Sequence, residues 1–572
     1  MGEMERLVEQ YLKRLVEIRG TGAATDETSY YSALENLLNE VGKTLKPRVV
    51  CNGQLRNVGA GHPDFGLYAH TQCNSKGVPK SGQAASPERG VVEVKPVKDS
   101  AWQTAKSDQV SKYWKHYRLV LVTNYRDFIL LGEDEAGNPV KLESYSLAAT
   151  DAEFWKLAAS SKATAKAQGV QFGEFLRRAL IQTAPIRLPQ ELAWLLASYG
   201  RDALVRVESA SLPAIDTLRS ALEDALGIKF EGHKGEHLFR STLVQTLFYG
   251  VFSAWVLSNR KLPPGASSKF DWKTAAFSLH VPMVRNLYDQ IATPTRLGPL
   301  GLTEVLDLTG NALNRVDRAA FFAAFDAGKA VQYFYEPFLE AFDPQLRKDL
   351  GVWYTPPEVV HYMVARVDKV LRTEFGIAAG LADECVYVLD PACGTGSYLV
   401  AVLERIAATL KDSGAGALLG QDLKKAATER VFGFEIMPAP YVIAHWQVGL
   451  LLDGFGASLI TGAAKSERAA VYLTNALTGW QPPTGPKTKL LFPELEEERD
   501  AAEHVKRDVP ILVILGNPPY NAFAGTSPAE EAGLVEPYKV GLNKKWGIKK
   551  YRMPAMQSEN CIRSTGSKPR QL

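Results

Sequence analysis

The sequence predicts an α/β protein of several domains, and three stretches carry the expectation. Val386-Tyr387-Val388-Leu389-Asp390-Pro391-Ala392-Cys393-Gly394-Thr395-Gly396-Ser397 runs into the apolar Tyr398 to Ile406, a buried strand, a glycine turn and a helix in succession. A second buried strand, Val513-Ile514-Leu515-Gly516, ends on Asn517-Pro518-Pro519-Tyr520. Near the front, Val91-Val92-Glu93-Val94-Lys95 alternates valine with charge, so on a strand Glu93 and Lys95 leave the same face. A chain of 572 residues holds about three or four domains at about 150 residues each.

Composition narrows the class. Hydrophobic content of 46% and charged content of 23% are those of a soluble globular protein. No run of about 18 apolar residues occurs, and Met1-Gly2-Glu3-Met4-Glu5-Arg6 lacks the apolar core of a signal peptide. No membrane partner is expected, and the expected compartment is cytoplasmic. Cys51, Cys73, Cys385, Cys393 and Cys561 show neither paired nor metal-ligand spacing, which predicts reduced thiols. A net charge of +3 is too small to establish nucleic-acid binding, although a positive field on one face can hide inside that sum.

The first stretch specifies a ligand crevice. Glycines at 394 and 396 let backbone approach a ligand at the carboxyl end of a parallel strand. A dinucleotide site asks for a third glycine or alanine three residues on, and an acid roughly 20 residues later. Here Leu399 holds the third position, and the next strand-terminal acid is Glu435, closing Val431-Phe432-Gly433-Phe434-Glu435, 39 residues past Gly396. An acid at the end of a second strand suits a ribose diol, and phosphates are not indicated.

The second stretch implies a chemical act. An aromatic amine is a poor nucleophile because its lone pair is delocalised, so a site that methylates it must draw the nitrogen out of conjugation. The side chain of Asn517 and the carbonyl of Pro518 can each accept one amine N–H, and proline has no N–H of its own to divert into a sheet. Tyr520 offers a flat face to a base flipped from a duplex. Read alone, the tetrapeptide is equally a turn closing a buried strand. Taken in order, Asp-Pro-x-x-Gly-x-Gly, the strand-terminal acid and Asn-Pro-Pro-Tyr resemble the amino-group DNA methyltransferases that use S-adenosylmethionine, in their adenine-type arrangement. The resemblance implies that Asp390, Pro391, Gly394 and Gly396 line the methionine side of the cofactor and that Glu435 takes the ribose hydroxyls. Asn475, closing Val471 to Asn475, is a weaker candidate for the cofactor's adenine. Thr355, in Gly351-Val352-Trp353-Tyr354-Thr355-Pro356, is expected near the methionine. Asn517, Pro518, Pro519 and Tyr520 are expected to hold the target, adenine N6 or else cytosine N4.

The front of the chain carries a different signature. His62-Pro63-Asp64-Phe65 precedes Glu93 and Lys95, and Gln109-x-x-x-Tyr113 follows. Asp64 and Glu93 on adjacent strands can share a divalent cation through oxygen ligands, with Lys95 steadying the water that attacks a phosphate. Alternation of charge and valine is also how any half-exposed strand reads. The set resembles the PD-(D/E)xK nucleases, which implies Mg2+ on Asp64 and Glu93 and an accessory role for Gln109 with Tyr113. Thr28-Ser29-Tyr30 and Asn124-Tyr125-Arg126-Asp127, after a strand from Leu119 to Thr123, fit the nuclease domain of bacterial restriction-modification enzymes. An acid from the first helical region often joins that metal site, and Glu27 and Glu35 both qualify.

Between the two signatures the chain reads as amphipathic helices, among them Ala152 to Ala159, Phe172 to Thr183 and Leu238 to Leu257. No Gly-x-x-x-x-Gly-Lys-Ser/Thr occurs, so an ATP-driven translocase is not indicated. His233-Lys234-Gly235-Glu236-His237 formally matches an inverted zinc-protease motif, but Gly235 in the required helical turn and the lack of a third ligand argue for coincidence. The expected organisation is a nuclease domain over 1–150, a helical connector over 151–340, a Rossmann-like methyltransferase domain over 341–552 and a polar tail over 553–572. Only 52 residues follow Tyr520, which predicts a truncated chain with an incomplete methyltransferase sheet and a missing recognition domain, or one supplied by a separate specificity subunit. The whole resembles a type IIG restriction-modification enzyme acting on double-stranded DNA. Two alternatives stay open: a methyltransferase with an inactive nuclease, and a non-catalytic remnant that binds DNA or a partner.

Overall fold

Valine-rich alternation at the front of the chain builds a six-stranded sheet. A computed structural model describes residues 2–518 except 22–26, 54–59, 75–78, 81–85, 135–136, 184, 209–212, 227–228, 261, 263–268, 275–296, 326–333, 345, 347–354, 461–466, 481–488 and 491–492. The chain divides into two compact units, the first comprising Met1–Arg206, Ser267–Phe270 and Gly301–Ala324, the second Val207–Ala266, Asp271–Leu300 and Phe325–Leu572. The helical stretch 151–340 is thereby shared between them. The expected tail over 553–572 lies outside the described residues.

In the first unit the strands lie in sequence order: β1 (Val49–Gly53), β2 (Phe65–Ala69), β3 (Val91–Val94), β4 (Val120–Thr123), β5 (Asp127–Glu133) and β6 (Pro139–Ser146). Only β3 and β4 are parallel, a pairing that needs a crossover, and the helix Asp108–Tyr117 supplies it. The period of two then sorts the valines. Val92, Val94 and Leu121 enter one core with the helices Glu3–Gly20, Tyr31–Lys43 and Ser161–Ile181. Val91, Val120 and Val122 enter another, beneath Val110, Tyr113 and Trp114 of the crossover helix. Glu93 shares the face of Val91, and so looks toward that helix. A buried ion chain ties the helices beyond residue 150 to the sheet: Arg178 Nε donates to both oxygens of Glu143 on β6 at 3.0 Å, and its Nη2 lies 3.4 Å from Asp202.

The second unit contains a parallel sheet in the order β10-β7-β8-β9, with β7 at Val388–Asp390, β8 at Val431–Glu435, β9 at Val471–Leu473 and β10 at Val513–Ile514. The helices Ser397–Asp412 and Leu419–Glu429 follow β7, Pro438–Gly454 follows β8 and Pro493–Asp508 follows β9. The chain steps outward from β7 to β9, then returns to the other side of β7 as β10. That reversal opens a crevice at the carboxyl ends of β7 and β10, where open α/β sheets bind ligands. Pro438–Gly454 is buried along most of its length, as expected of a helix apolar all round.

His233-Lys234-Gly235-Glu236-His237 lies inside the helix Gly232–Arg260. His237 contacts Glu208 at 2.7 Å through Nδ1 and Asp343 at 2.8 Å through Nε2, while Glu236 pairs with Arg240 and Arg219. The bonds to Asp343 and Glu208 push the imidazole up to about 10, and both ring nitrogens are engaged by carboxylates, so the pentapeptide does not present the paired histidines of that motif. Among the described residues Cys51, Cys73, Cys385 and Cys393 are free thiols. None of the described helices is long and apolar enough to cross a membrane.

Candidate active sites

Each unit holds a cluster of the expected residues. In the first, Asp64 stands immediately ahead of β2, Glu93 on β3 and Lys95 one residue past its end. The Val94 amide donates to Asp64 Oδ2 at 2.7 Å, and Lys95 Nζ donates to Glu93 Oε1 at 2.7 Å. The three side chains thus share the rim where β2 meets β3. Burial pushes the Glu93 carboxyl up to about 7; Lys95 pulls it down, and Asp64 and Glu27 push it further up. Burial opposes the charge on Lys95, but Glu93, Glu27 and Asp64 more than offset this and raise its pKa. Gln109 Nε2 donates to the Tyr113 hydroxyl at 2.8 Å, and burial, together with the charges of Glu93 and Asp64, raises that phenol.

The two acids of the first helical region separate here. Glu35 Oε1 accepts from the Gly53 amide at 3.3 Å, engaged with β1. Glu27 lies 3.1 Å from the Tyr31 hydroxyl, which donates to Asp64 Oδ1 at 2.5 Å. Among the described residues no three His, Cys, Asp or Glu side chains converge to hold a metal ion. Two carboxylates with excess negative charge nevertheless fit Mg2+, which keeps several waters and is commonly held by one or two carboxylates plus substrate phosphates.

In the second unit the loop after β7 is shaped by its glycines. Gly394 and Gly396 have φ of +54° and +90°, and a side chain on Gly396 would press on Ala444 Cα at 3.1 Å. A Cβ on Gly394 would meet nothing within 4 Å, so that side of the loop faces space. The Gly394 amide donates to Glu435 Oε2 at 2.9 Å and the Met437 amide to Oε1 at 2.8 Å. Glu435 thereby joins the ends of β7 and β8. Burial pushes its carboxyl up to about 7 against the pull of those amides. Asp390 accepts from the Ala392 amide through Oδ1 at 3.1 Å, while its buried Oδ2 has no hydrogen-bond partner among the described residues. Burial raises Asp390 to about 8; the Ala392 amide opposes this and Glu435 adds to it. A buried, unpartnered carboxyl oxygen beside a glycine loop fits a site that receives a polar ligand.

The segment after β10 meets this crevice at its edge. Asn517 Nδ2 donates to Thr355 Oγ1 at 2.9 Å, so residues 162 positions apart adjoin. Gly516 is the reason β10 can end there, because a Cβ on it would lie 2.2 Å from Asp390 Oδ1. Pro518 is described, whereas Pro519, Tyr520 and 351–354 lie outside the described residues. Asn475 is buried two residues past β9, its Oδ1 accepting from the Leu477 amide at 2.9 Å. Lys506, which the sequence did not single out, donates to Thr474 Oγ1 at 2.8 Å and to the Asn475 carbonyl at 2.7 Å. A lysine in a polar helix gives no sequence signal for that role.

Residues 328–448 match the family described as N-6 DNA Methylase. The matched segment takes in Thr355, the glycine loop and Glu435, and ends before Asn475 and Asn517. No curated protein matches the chain. Among solved structures, a cryo-EM DrdV–DNA complex is 20% identical, over 91% of this chain and 44% of that one, with a TM-score of 0.42. An ATP-dependent type ISP restriction-modification enzyme, LlaBIII, bound to DNA, is 17% identical over 71% of this chain and 25% of its own, with a TM-score of 0.39. The type IIG restriction endonuclease BpuSI is 13% identical over 95% and 48%, with a TM-score of 0.25. The chain spans less than half the length of each.

Proposed function

We propose that this chain is a type IIG-like restriction-modification protein, which methylates adenine N6 in double-stranded DNA with S-adenosylmethionine and cleaves DNA through a magnesium-dependent nuclease in its first unit. The observation that carries the reading is the meeting of Thr355, Asp390, Gly394, Glu435 and Asn517 at one crevice. S-adenosylmethionine, when bound, supplies an electrophilic sulfonium methyl. The residues that would hold it are Asp390, Pro391, Gly394 and Gly396 on the methionine side with Thr355, Glu435 at the ribose and Asn475 toward the adenine. Both Glu435 oxygens already accept backbone amides, and each retains a second lone pair for a hydroxyl.

The Thr355 bond engages the nitrogen end of the Asn517 amide, which makes Oδ1 the end that accepts from a substrate amine. With the Pro518 carbonyl accepting the second N–H, the amine nitrogen turns its lone pair toward the methyl. No strong base is required, and positioning supplies most of the rate. In the first unit Asp64 and Glu93 would hold Mg2+, and Lys95 would steady the attacking water.

Three variants test the two halves separately. Asn517→Ala is expected to abolish transfer of labelled methyl groups to DNA while calorimetry still detects S-adenosylmethionine binding. Gly394→Asp is expected to remove that binding. Asp64→Ala with Lys95→Ala is expected to abolish Mg2+-dependent cleavage and spare cofactor binding. Absence of cofactor binding in the wild-type chain excludes the methyltransferase, and cleavage that persists unchanged in the double variant excludes the nuclease assignment.

A further inference from the structure

The Tyr31 hydroxyl lies between two acids of the first-unit cluster. Its ring packs on Phe65 at 5.1 Å, the residue directly after Asp64. From there the hydroxyl reaches Asp64 Oδ1 at 2.5 Å and Glu27 Oε1 at 3.1 Å. The second Asp64 oxygen is taken by the Val94 amide. Both carboxylate oxygens are therefore oriented by donors fixed in the fold, one from the backbone of β3 and one from Tyr31.

Glu27 is itself held from behind. Its carbonyl accepts from the Tyr125 hydroxyl at 2.6 Å. Tyr125 is fully buried and has a φ of +69°, a conformation unusual for a bulky residue and kept only where the surroundings enforce it. They do so at three points: its amide donates to Thr123 Oγ1 at 3.0 Å, its carbonyl accepts from Tyr11 at 3.0 Å, and its ring meets Tyr30 edge-on at 5.5 Å. A chain of contacts thus runs from a strained turn after β4, through Tyr125, Glu27 and Tyr31, to Asp64.

We propose that Tyr31 is a positioning residue of the divalent-cation site, its hydroxyl giving its one proton to Asp64 Oδ1, with Tyr125 anchoring the neighbouring Glu27. The inference rests on the nuclease reading above. Groups that orient a metal-ligating carboxylate typically change metal affinity 10- to 100-fold when removed, and a ring without its hydroxyl keeps the packing on Phe65.

Calorimetric titration of the full chain with Mn2+ alone, beside thermal unfolding and the Mg2+ dependence of plasmid cleavage, tests it. Tyr31→Phe is expected to weaken Mn2+ binding roughly 10-fold or more, with the unfolding midpoint unchanged and with cleavage restored at high Mg2+. Tyr125→Phe is expected to weaken it less. Mn2+ affinity equal to wild type in Tyr31→Phe overturns the inference, provided Asp64→Ala abolishes the wild-type signal. If the wild-type chain gives no Mn2+ signal that Asp64→Ala removes, the nuclease reading and this inference fall together. Should Tyr31→Phe unfold, Tyr125→Phe, which removes the bond that fixes the chain at Glu27, carries the test; unchanged affinity there overturns the inference as well.

Discussion

Asp390 concentrates the cost of the second unit's crevice in one side chain. An aspartate in an unfolded chain titrates near 3.9, whereas burial holds this one up to about 8. The neutral form is therefore the one the fold favours. Its contribution to stability is complete below about pH 4 and is lost as the pH rises through about 8, because the folded state then carries a buried charge or gives up its preference. Glu435, pushed up to about 7 by burial, adds a loss of the same sign over the lower part of that window. Asp390→Asn keeps the shape and removes the ionisation. Its stability relative to wild type should rise between pH 5 and pH 8, by on the order of a few kcal/mol at the upper end. Thermal unfolding at both pH values reads this directly, and a constant offset between the two proteins would show that Asp390 is already ionised in the folded state across that range.

At the scale of elements, β9 shows how an edge is managed. It pairs with β8 on one side and with no described strand on the other, so part of its backbone needs partners elsewhere. Glu498, on the helix Pro493–Asp508, accepts from the Leu473 amide at 2.7 Å, and Arg468 Nη2 donates to the Val471 carbonyl at 2.5 Å. The two side chains also pair with each other, with the Glu498 carboxylate buried. Glu498→Ala removes the acceptor of the buried Leu473 amide and the partner of a part-exposed arginine, a loss of about 1–3 kcal/mol, while Glu498→Gln retains an acceptor and should lose less. Chemical denaturation of the two variants separates them, and equal losses would assign the effect to packing instead.

Elements with an apolar run and a marked end were legible in the sequence. Val431 to Glu435 was read with the bounds the fold gives β8, since four buried residues close on an acid. The helix Ser161–Ile181 begins 11 residues before the expected Phe172, because its first turns are rich in alanine, lysine and glutamine and bury Thr164, Ala165 and Gly169 rather than a stripe of large apolar residues. β6 opens on exposed Pro139, Val140 and Lys141, with no apolar run to mark it as a strand. The sites divide the same way. Motif residues announced themselves by spacing, whereas Tyr31 and Lys506 act through contacts across long sequence separations, and the positive φ of Tyr125 sits on a residue type that gives no sign of it.

At the scale of the whole molecule, the two candidate sites fall in different compact units, with Asp64, Glu93, Lys95, Glu27 and Tyr31 in the first and Thr355, Asp390, Glu435 and Asn517 in the second. Each unit has its own sheet and its own buried core. A ligand that binds only the folded form of one unit stabilises that unit by mass action, by about 2.7 kcal/mol at 100 times its dissociation constant. Under the methyltransferase reading, S-adenosylmethionine should therefore raise the unfolding transition of the second unit. The transition that responds to Asp64→Ala should stay where it is, and Gly394→Asp should erase the shift. Differential scanning calorimetry of the full chain distinguishes the outcomes. Two transitions of which the cofactor moves one support separate units with separate ligands. A single transition that moves as a whole would mean that the units unfold together and that occupancy of the crevice in the second unit stabilises the first unit as well.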